Sequence, residues 1–185
     1  MSEVLVPLAE GFEEIEAVSI IDVLRRADIE VVTAGVNSQT VCGSHGICFY
    51  TDVLFSDLSC PEDEFSMIVF PGGLPGAHHL RDDERIIELT RKMFHKGKIT
   101  AAICAAPIIL EKAGILEGRN ATSYPGQLES TENTSISIKA ERVVRDGNIF
   151  TSRGPATALE FALELVEALR GKEVKENLQK KMLLV

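Results

Sequence analysis

Short apolar runs alternate with helix-period stretches along most of the chain. Val4-Leu-Val-Pro-Leu8 reads as a strand reaching Gly11, and Ile15, Val18, Ile21 and Leu24 then recur at helical spacing. Pro7 lacks an amide hydrogen, so it is expected where the ladder needs none. Ile29-Glu-Val-Val-Thr-Ala34 is a β-branched run that stops at Gly35, and two weak strands around Val41 and over 46–51 read as half-buried sheet. Ser66-Met-Ile-Val-Phe70 is continuously apolar, as in a central parallel strand, and opens into Pro71-Gly72-Gly73. A helix is predicted from about Asp82 to Phe94, a buried strand over Ile99–Ile103, and a helix over Ala105–Ala113 that Gly114 closes. Val143-Val144 and Ile149-Phe150 flank Asp146-Gly147 and read as a hairpin. The amphipathic stretch Pro155–Leu169 ends at Gly171, and Lys172–Lys181 can form a last short helix.

Strands alternating with helices predict an α/β fold: a flavodoxin-like (Rossmann-like) three-layer sandwich whose mostly parallel sheet carries helices on both faces. No repeat, linker or low-complexity segment divides the 185 residues, so one domain over 1–185 is expected. In such sheets ligands bind beyond the carboxyl ends of the strands, where Glu16, Gly72-Gly73 and Cys104 should gather.

Composition narrows the partners. Hydrophobic residues at 45% and charged residues at 25% are ordinary for a globular chain, while a net charge of −9 opposes binding to nucleic acid or an anionic membrane. The sequence from Met1 lacks a basic region followed by a long apolar stretch, and no window is long and apolar enough to span a bilayer, so a soluble cytoplasmic protein is expected. Cys42, Cys48, Cys60 and Cys104 form neither a dense disulfide framework nor a CxxC pair, and reduced thiols are expected. His45, His78, His79 and His95 are scattered without a helical metal pair, so no metal is assigned; His78-His79 is read as surface rather than site lining. The sequons at Asn120 and Asn133 carry no weight without a secretory route.

The candidate chemistry centres on Cys104. It lies between a buried strand and a helix, flanked by Ala102, Ala105 and Ala106, small enough for a sharp turn of the nucleophile-elbow kind. A helix N-terminus would favour its thiolate at neutral pH. Spacing alone leaves open a second reading, a buried cysteine acting as a small hydrophobe. Gly72-Gly73-Leu-Pro-Gly76 could present backbone amides to a reacting oxygen, or be a plain tight turn; it lacks the dinucleotide and P-loop fingerprints, so no nucleotide cofactor is supported. Three acids, Glu13, Glu14 and Glu16, open the first helix. Most read as solvated capping charges, whereas one pointing at the thiolate would be forced to hold its proton, and Glu16 is the candidate.

Taken together, Gly11-x-Glu-Glu-x-Glu16, Phe70-Pro-Gly-Gly73, Ala101-Ala-Ile-Cys-Ala-Ala-Pro107 and Thr151-Ser-Arg-Gly-Pro155 resemble the ThiJ/PfpI superfamily, and more narrowly the branch of the parkinsonism-associated deglycase. The resemblance implies a flavodoxin-like homodimer without a cofactor. Within it Cys104 would be the reactive cysteine, Glu16 the protonated carboxyl touching its sulfur, and Gly73 and Ala105 the backbone donors. It also implies glutathione-independent glyoxalase or deglycase chemistry on methylglyoxal, glyoxal or their adducts, with oxidation sensing and chaperone activity as the alternative. Two departures matter. Ala105 stands where protease-like members carry a histidine, which disfavours peptidase activity. In Ser123-Tyr124-Pro125, tyrosine stands where several relatives carry histidine; Tyr124 could hydrogen-bond a substrate oxygen, but a neutral phenol is a poor base.

Overall fold

The computed structural model describes residues 4–131 and 133–184. The first half of the chain runs β1 (Val4–Leu8), α1 (Glu14–Arg26), β2 (Val31–Gly35), β3 (Thr40–Cys42), β4 (Cys48–Tyr50), β5 (Val53–Leu54), α2 (Pro61–Glu64), β6 (Met67–Phe70), α3 (Gly76–Arg81) and α4 (Glu84–His95). The second half runs β7 (Ile99–Ile103), α5 (Pro107–Lys112), β8 (Asn120–Ala121), β9 (Ser137–Ile138), β10 (Val143–Asp146), β11 (Ile149–Ser152), α6 (Ala158–Arg170) and α7 (Lys172–Lys181).

Among the described residues, seven strands form one sheet in the order β10-β11-β7-β6-β1-β2-β5, parallel throughout except for β10 against β11. Alternation of side chains across the pleat splits the core in two. Val4, Val6 and Leu8 join Ala17 and Ile20 of α1 and Phe161 of α6 on one face, while Leu5 joins Leu80, Ile87 and Leu110 of α3, α4 and α5 on the other. This is the expected flavodoxin-like sandwich. The chain lays β2 and β5 on one side of β1, then returns to place β6 and β7 on the other, so the strand order reverses at the β1–β6 boundary. A crevice beyond the carboxyl ends is expected there.

Pro7 sits where its missing donor costs nothing. Val4 donates to Glu30 and Leu8 accepts from Val36, both toward β2, so alternation turns Pro7 toward β6, past the last paired position, Leu5 against Ile68.

The structure departs from the sequence-based expectations at several points. Ile15 and Val18 do not belong to the buried stripe of α1; they are 58% and 49% exposed, and Ala17, Ile20, Ile21, Val23 and Leu24 face the core instead. The helix expected from Asp82 is preceded by α3, and Asp83 caps α4 by accepting from the Arg85 amide at 3.0 Å. The helix after Cys104 begins at Pro107 rather than Ala105. The weak strands β3 and β4 pair only with each other, apart from the main sheet. Their register sets Cys42 directly opposite Cys48, and the two form a disulfide rather than reduced thiols. Cys60 and Cys104 are free. No helix among the described residues is long and apolar enough to cross a membrane.

Candidate active site

Cys104 follows β7 in a left-handed conformation, φ 64°, which costs a non-glycine residue about 1–2 kcal/mol. The surroundings impose it. Its amide donates to Ser152 O on β11 at 2.9 Å, and its carbonyl accepts from the Tyr124 amide at 2.7 Å, so both backbone groups are tied before the chain turns into α5. A left-handed residue at a strand-to-helix junction is the backbone arrangement of a nucleophile elbow. The backbone amides of Ala105 and Gly73 donate toward its sulfur.

Glu16 comes from the first turn of α1 and is wholly buried. The Gly72 amide donates to its Oε2 at 2.7 Å, while Oε1 has no hydrogen-bond partner within bonding geometry among the described residues. Gly72 has room for this because it lacks a side chain: a Cβ there would lie 2.7 Å from Cys104 Cβ and 2.8 Å from Glu16 Oε2. The Gly72 amide is therefore engaged by Glu16, whereas the amides of Gly73 and Ala105 face the Cys104 sulfur.

Burial, opposed by the Gly72 amide and the Cys104 side chain, pushes the Glu16 carboxyl up to about 7. Burial, and then the Glu16 charge beside it, push the Cys104 thiol up to about 12 against the pull of the Ala105 and Gly73 amides. Both shifts oppose the standing thiolate expected from a helix N-terminus. The short helix after Cys104 does not offset burial and the neighbouring carboxyl, so the thiol is pushed up while Glu16, raised to about 7, gains and loses its proton around neutrality.

Glu14 is no solvated capping charge either. It is 4% exposed, and Oε1 accepts from the amides of His45 at 2.7 Å and Ile47 at 3.3 Å while the His45 ring meets Oε2 at 3.0 Å. Against the burial that raises it, these bonds and its own backbone amide bring Glu14 down to about 2. Glu13, Glu14 and His45 each bring a potential ligand atom within 4.8 Å of the others, but the carboxylate of Glu14 is already engaged by the protein. His78 and His79 lie on α3, with His79 exposed and its Nδ1 3.0 Å from Glu10 O.

Tyr124 is 51% exposed, and its amide donates to the Cys104 carbonyl. Gly154, to which the sequence pointed only as part of a motif, separates it from the sulfur: a Cβ on Gly154 would lie 3.5 Å from the Tyr124 ring and 4.0 Å from Cys104 Sγ. The missing side chain leaves an approach to the thiol. Gly-Pro after a strand was the available signal. Arg26 pairs with Asp22, and Arg153 donates to Ala140 O.

The DJ-1/PfpI family model matches residues 2–168. The chain is 42% identical over 183 residues to Protein DJ-1 homolog A of Arabidopsis thaliana, covering 98% of this chain and 46% of that protein, so it spans about half the length of that relative. It is 40% identical to Protein dj-1beta of Drosophila melanogaster, covering 97% of this chain and 96% of that one. A protein named deglycase from Pyrococcus horikoshii is 36% identical, with 91% and 99% covered. The crystal structure of Drosophila melanogaster DJ-1beta superposes with a TM-score of 0.92 at 40% identity, covering 99% and 98% of the two chains. An oxidized DJ-1 from Toxoplasma gondii gives 0.90 at 40%, with the same coverage. The chain belongs to the DJ-1/PfpI family.

Proposed function

We propose that the protein disposes of reactive dicarbonyls, or their adducts, through Cys104 without glutathione. The observation that carries this reading is the buried pairing of Cys104 with Glu16, a carboxyl whose proton affinity is matched to neutral pH. As Cys104 Sγ attacks the aldehyde carbon of methylglyoxal, Glu16 takes the thiol proton, and the amides of Gly73 and Ala105 steady the oxyanion of the hemithioacetal. Glu16 returns that proton to the oxyanion. The carboxylate then removes the hydrogen from the aldehyde-derived carbon and delivers it to the neighbouring carbon through an enediol, which leaves a thioester of 2-hydroxypropanoate. Water releases lactate and restores the thiol, so the sum is methylglyoxal plus water to lactic acid. The relative named deglycase supports extending the same first step to glycated adducts. Ala105 beside the nucleophile supplies no histidine for peptide cleavage.

The test is lactate formation from methylglyoxal in thiol-free buffer. Wild type is expected to turn over, and Cys104→Ala to fall to the uncatalysed rate; equal rates would end the enzyme reading.

The second reading is an oxidation sensor. A protonated Glu16, with Oε1 unpartnered, could donate a hydrogen bond to an oxidised sulfur. Selective two-oxygen addition at Cys104 under mild peroxide, with no lactate formed, would favour it.

We also propose a homodimer. Ile15 and Val18 place apolar surface on the outer side of α1, beside Glu16. Ile15→Lys with Val18→Lys is expected to shift sedimentation from dimer to monomer; a wild type that sediments as a monomer contradicts this.

A further inference from the structure

The Cys42–Cys48 disulfide closes a loop too short for chain entropy to give it a large part in the stability of the whole fold. Gly43 already donates to Ile47 O at 2.9 Å, Thr40 pairs with Tyr50 beyond the cysteines, and only six positions separate the two sulfurs in sequence. The chain entropy a cross-link removes is smallest for such short loops.

The hairpin does hold the chain entering α1. Cys42 donates to Glu10 Oε2 at 3.0 Å and accepts from Gly11 at 2.8 Å, Ser44 donates to Phe12 O at 2.8 Å, and His45 and Ile47 donate to Glu14. The other side of the same segment faces the glycine loop. Glu13 donates to Gly72 O at 2.8 Å and Gly76 donates to Gly11 O at 3.2 Å. Residues 10–14 are therefore a strap between the hairpin and the loop that carries the Gly72 amide, and Glu16 follows two residues on.

We propose that Cys42–Cys48 is a thiol–disulfide exchange centre through which a dithiol reductant sets how firmly residues 10–16 hold Glu16 against Cys104. It rests on Cys104 and Glu16 being the working pair. Cys48 is the exposed member and Cys42 the half-buried one, so an incoming thiolate attacks Cys48 Sγ. The S–S bond breaks, its electron pair goes to Cys42 sulfur, and that sulfur takes a proton. The second thiol of the reductant then attacks the mixed disulfide and releases Cys48, leaving two thiols here and one disulfide on the reductant. Without the covalent tie, the 43–47 tip and its two amides can leave Glu14. A buried carboxylate that loses its donors is driven toward water, and it carries the start of α1 with it.

The test uses the full chain in oxidised form, the same protein reduced with dithiothreitol, and Cys42→Ser with Cys48→Ser. Hydrogen exchange is read at His45 and Ile47, and iodoacetamide labelling of Cys104 at pH 7 is read per peptide with Cys60 as internal reference. Reduction and the double substitution should each speed exchange at both amides by about tenfold or more and raise Cys104 labelling relative to Cys60 by about threefold or more. Exchange in β6 and β7 should not change. Should the double variant not fold, Cys48→Ser alone gives the untied hairpin. Identical exchange and labelling in the two redox states, or a disulfide the dithiol cannot reduce in the folded protein, overturns the proposal. Labelling reports Cys104 directly, so a protein that makes no lactate still leaves this test readable.

Discussion

Glu16→Gln is expected to make the protein more stable at pH 8 while removing its turnover. The Glu16 carboxyl is raised from 4.5 to about 7 in the folded state, so the folded chain binds that proton more tightly than the unfolded one. Stability from this group is complete below the unfolded value and is lost as pH rises through the folded one. Above neutrality an ionised Glu16 costs about 3 kcal/mol, the free-energy equivalent of that shift. Glutamine carries no charge and can still accept from the Gly72 amide through its own Oε1. Stability from urea unfolding should therefore favour Glu16→Gln by up to about 3 kcal/mol at pH 8 and by under about 1 kcal/mol at pH 5. Turnover should fall by about 10²–10⁴-fold, the usual range for losing a positioned acid–base group. A variant less stable than wild type at pH 8 contradicts the burial argument, and one that keeps its turnover removes Glu16 from the mechanism.

Gly73→Ala should damage both the fold and the site. Gly73 has φ +89°, and a Cβ there would lie 2.3 Å from Glu13 N, 2.5 Å from Phe12 C and 2.6 Å from Gly11 O. All three are backbone atoms, so no side-chain rotation relieves the clash. The left-handed penalty and the overpacking together amount to about 2–5 kcal/mol, and they force the strap at residues 11–13 away from the glycine loop. The Gly73 amide then leaves the sulfur. Gly97 is the control, because its φ is +72° but its Cβ would meet nothing within 4 Å. Gly97→Ala should cost only about 1 kcal/mol and leave lactate formation unchanged. Equal losses at the two positions would mean that backbone conformation alone, not the contact with residues 11–13, governs the effect at Gly73.

The parts of this architecture that sequence reveals are those that local pattern determines. Continuous apolar runs marked β6 and β7, and the breaks after them at Pro71-Gly72-Gly73 and Cys104 put both loops at one end of a parallel sheet. Glu16 joined them because α1 leaves β1 at the same end. What stayed hidden depends on three dimensions. A sequence separation of six between Cys42 and Cys48 says nothing until the hairpin register sets them opposite each other. Ile15 and Val18 fit a helical period but lie off the stripe that Ala17, Ile20 and Leu24 present to the sheet. Glu14 looked like a capping acid because its donors, His45 and Ile47, are some thirty residues away in sequence. The upward push on the Cys104 thiol comes from burial and the position of Glu16, neither of which spacing reports.

The central claim is that Cys104 works as a thiol served by a carboxylate rather than as a standing thiolate. The pH dependence of kcat/KM for lactate formation from methylglyoxal tests it most directly. The account predicts a tenfold rise per pH unit on the acid side and a plateau whose midpoint is near 7, following Glu16. A midpoint at the ordinary thiol value near 8.5 that Glu16→Gln leaves in place would contradict it.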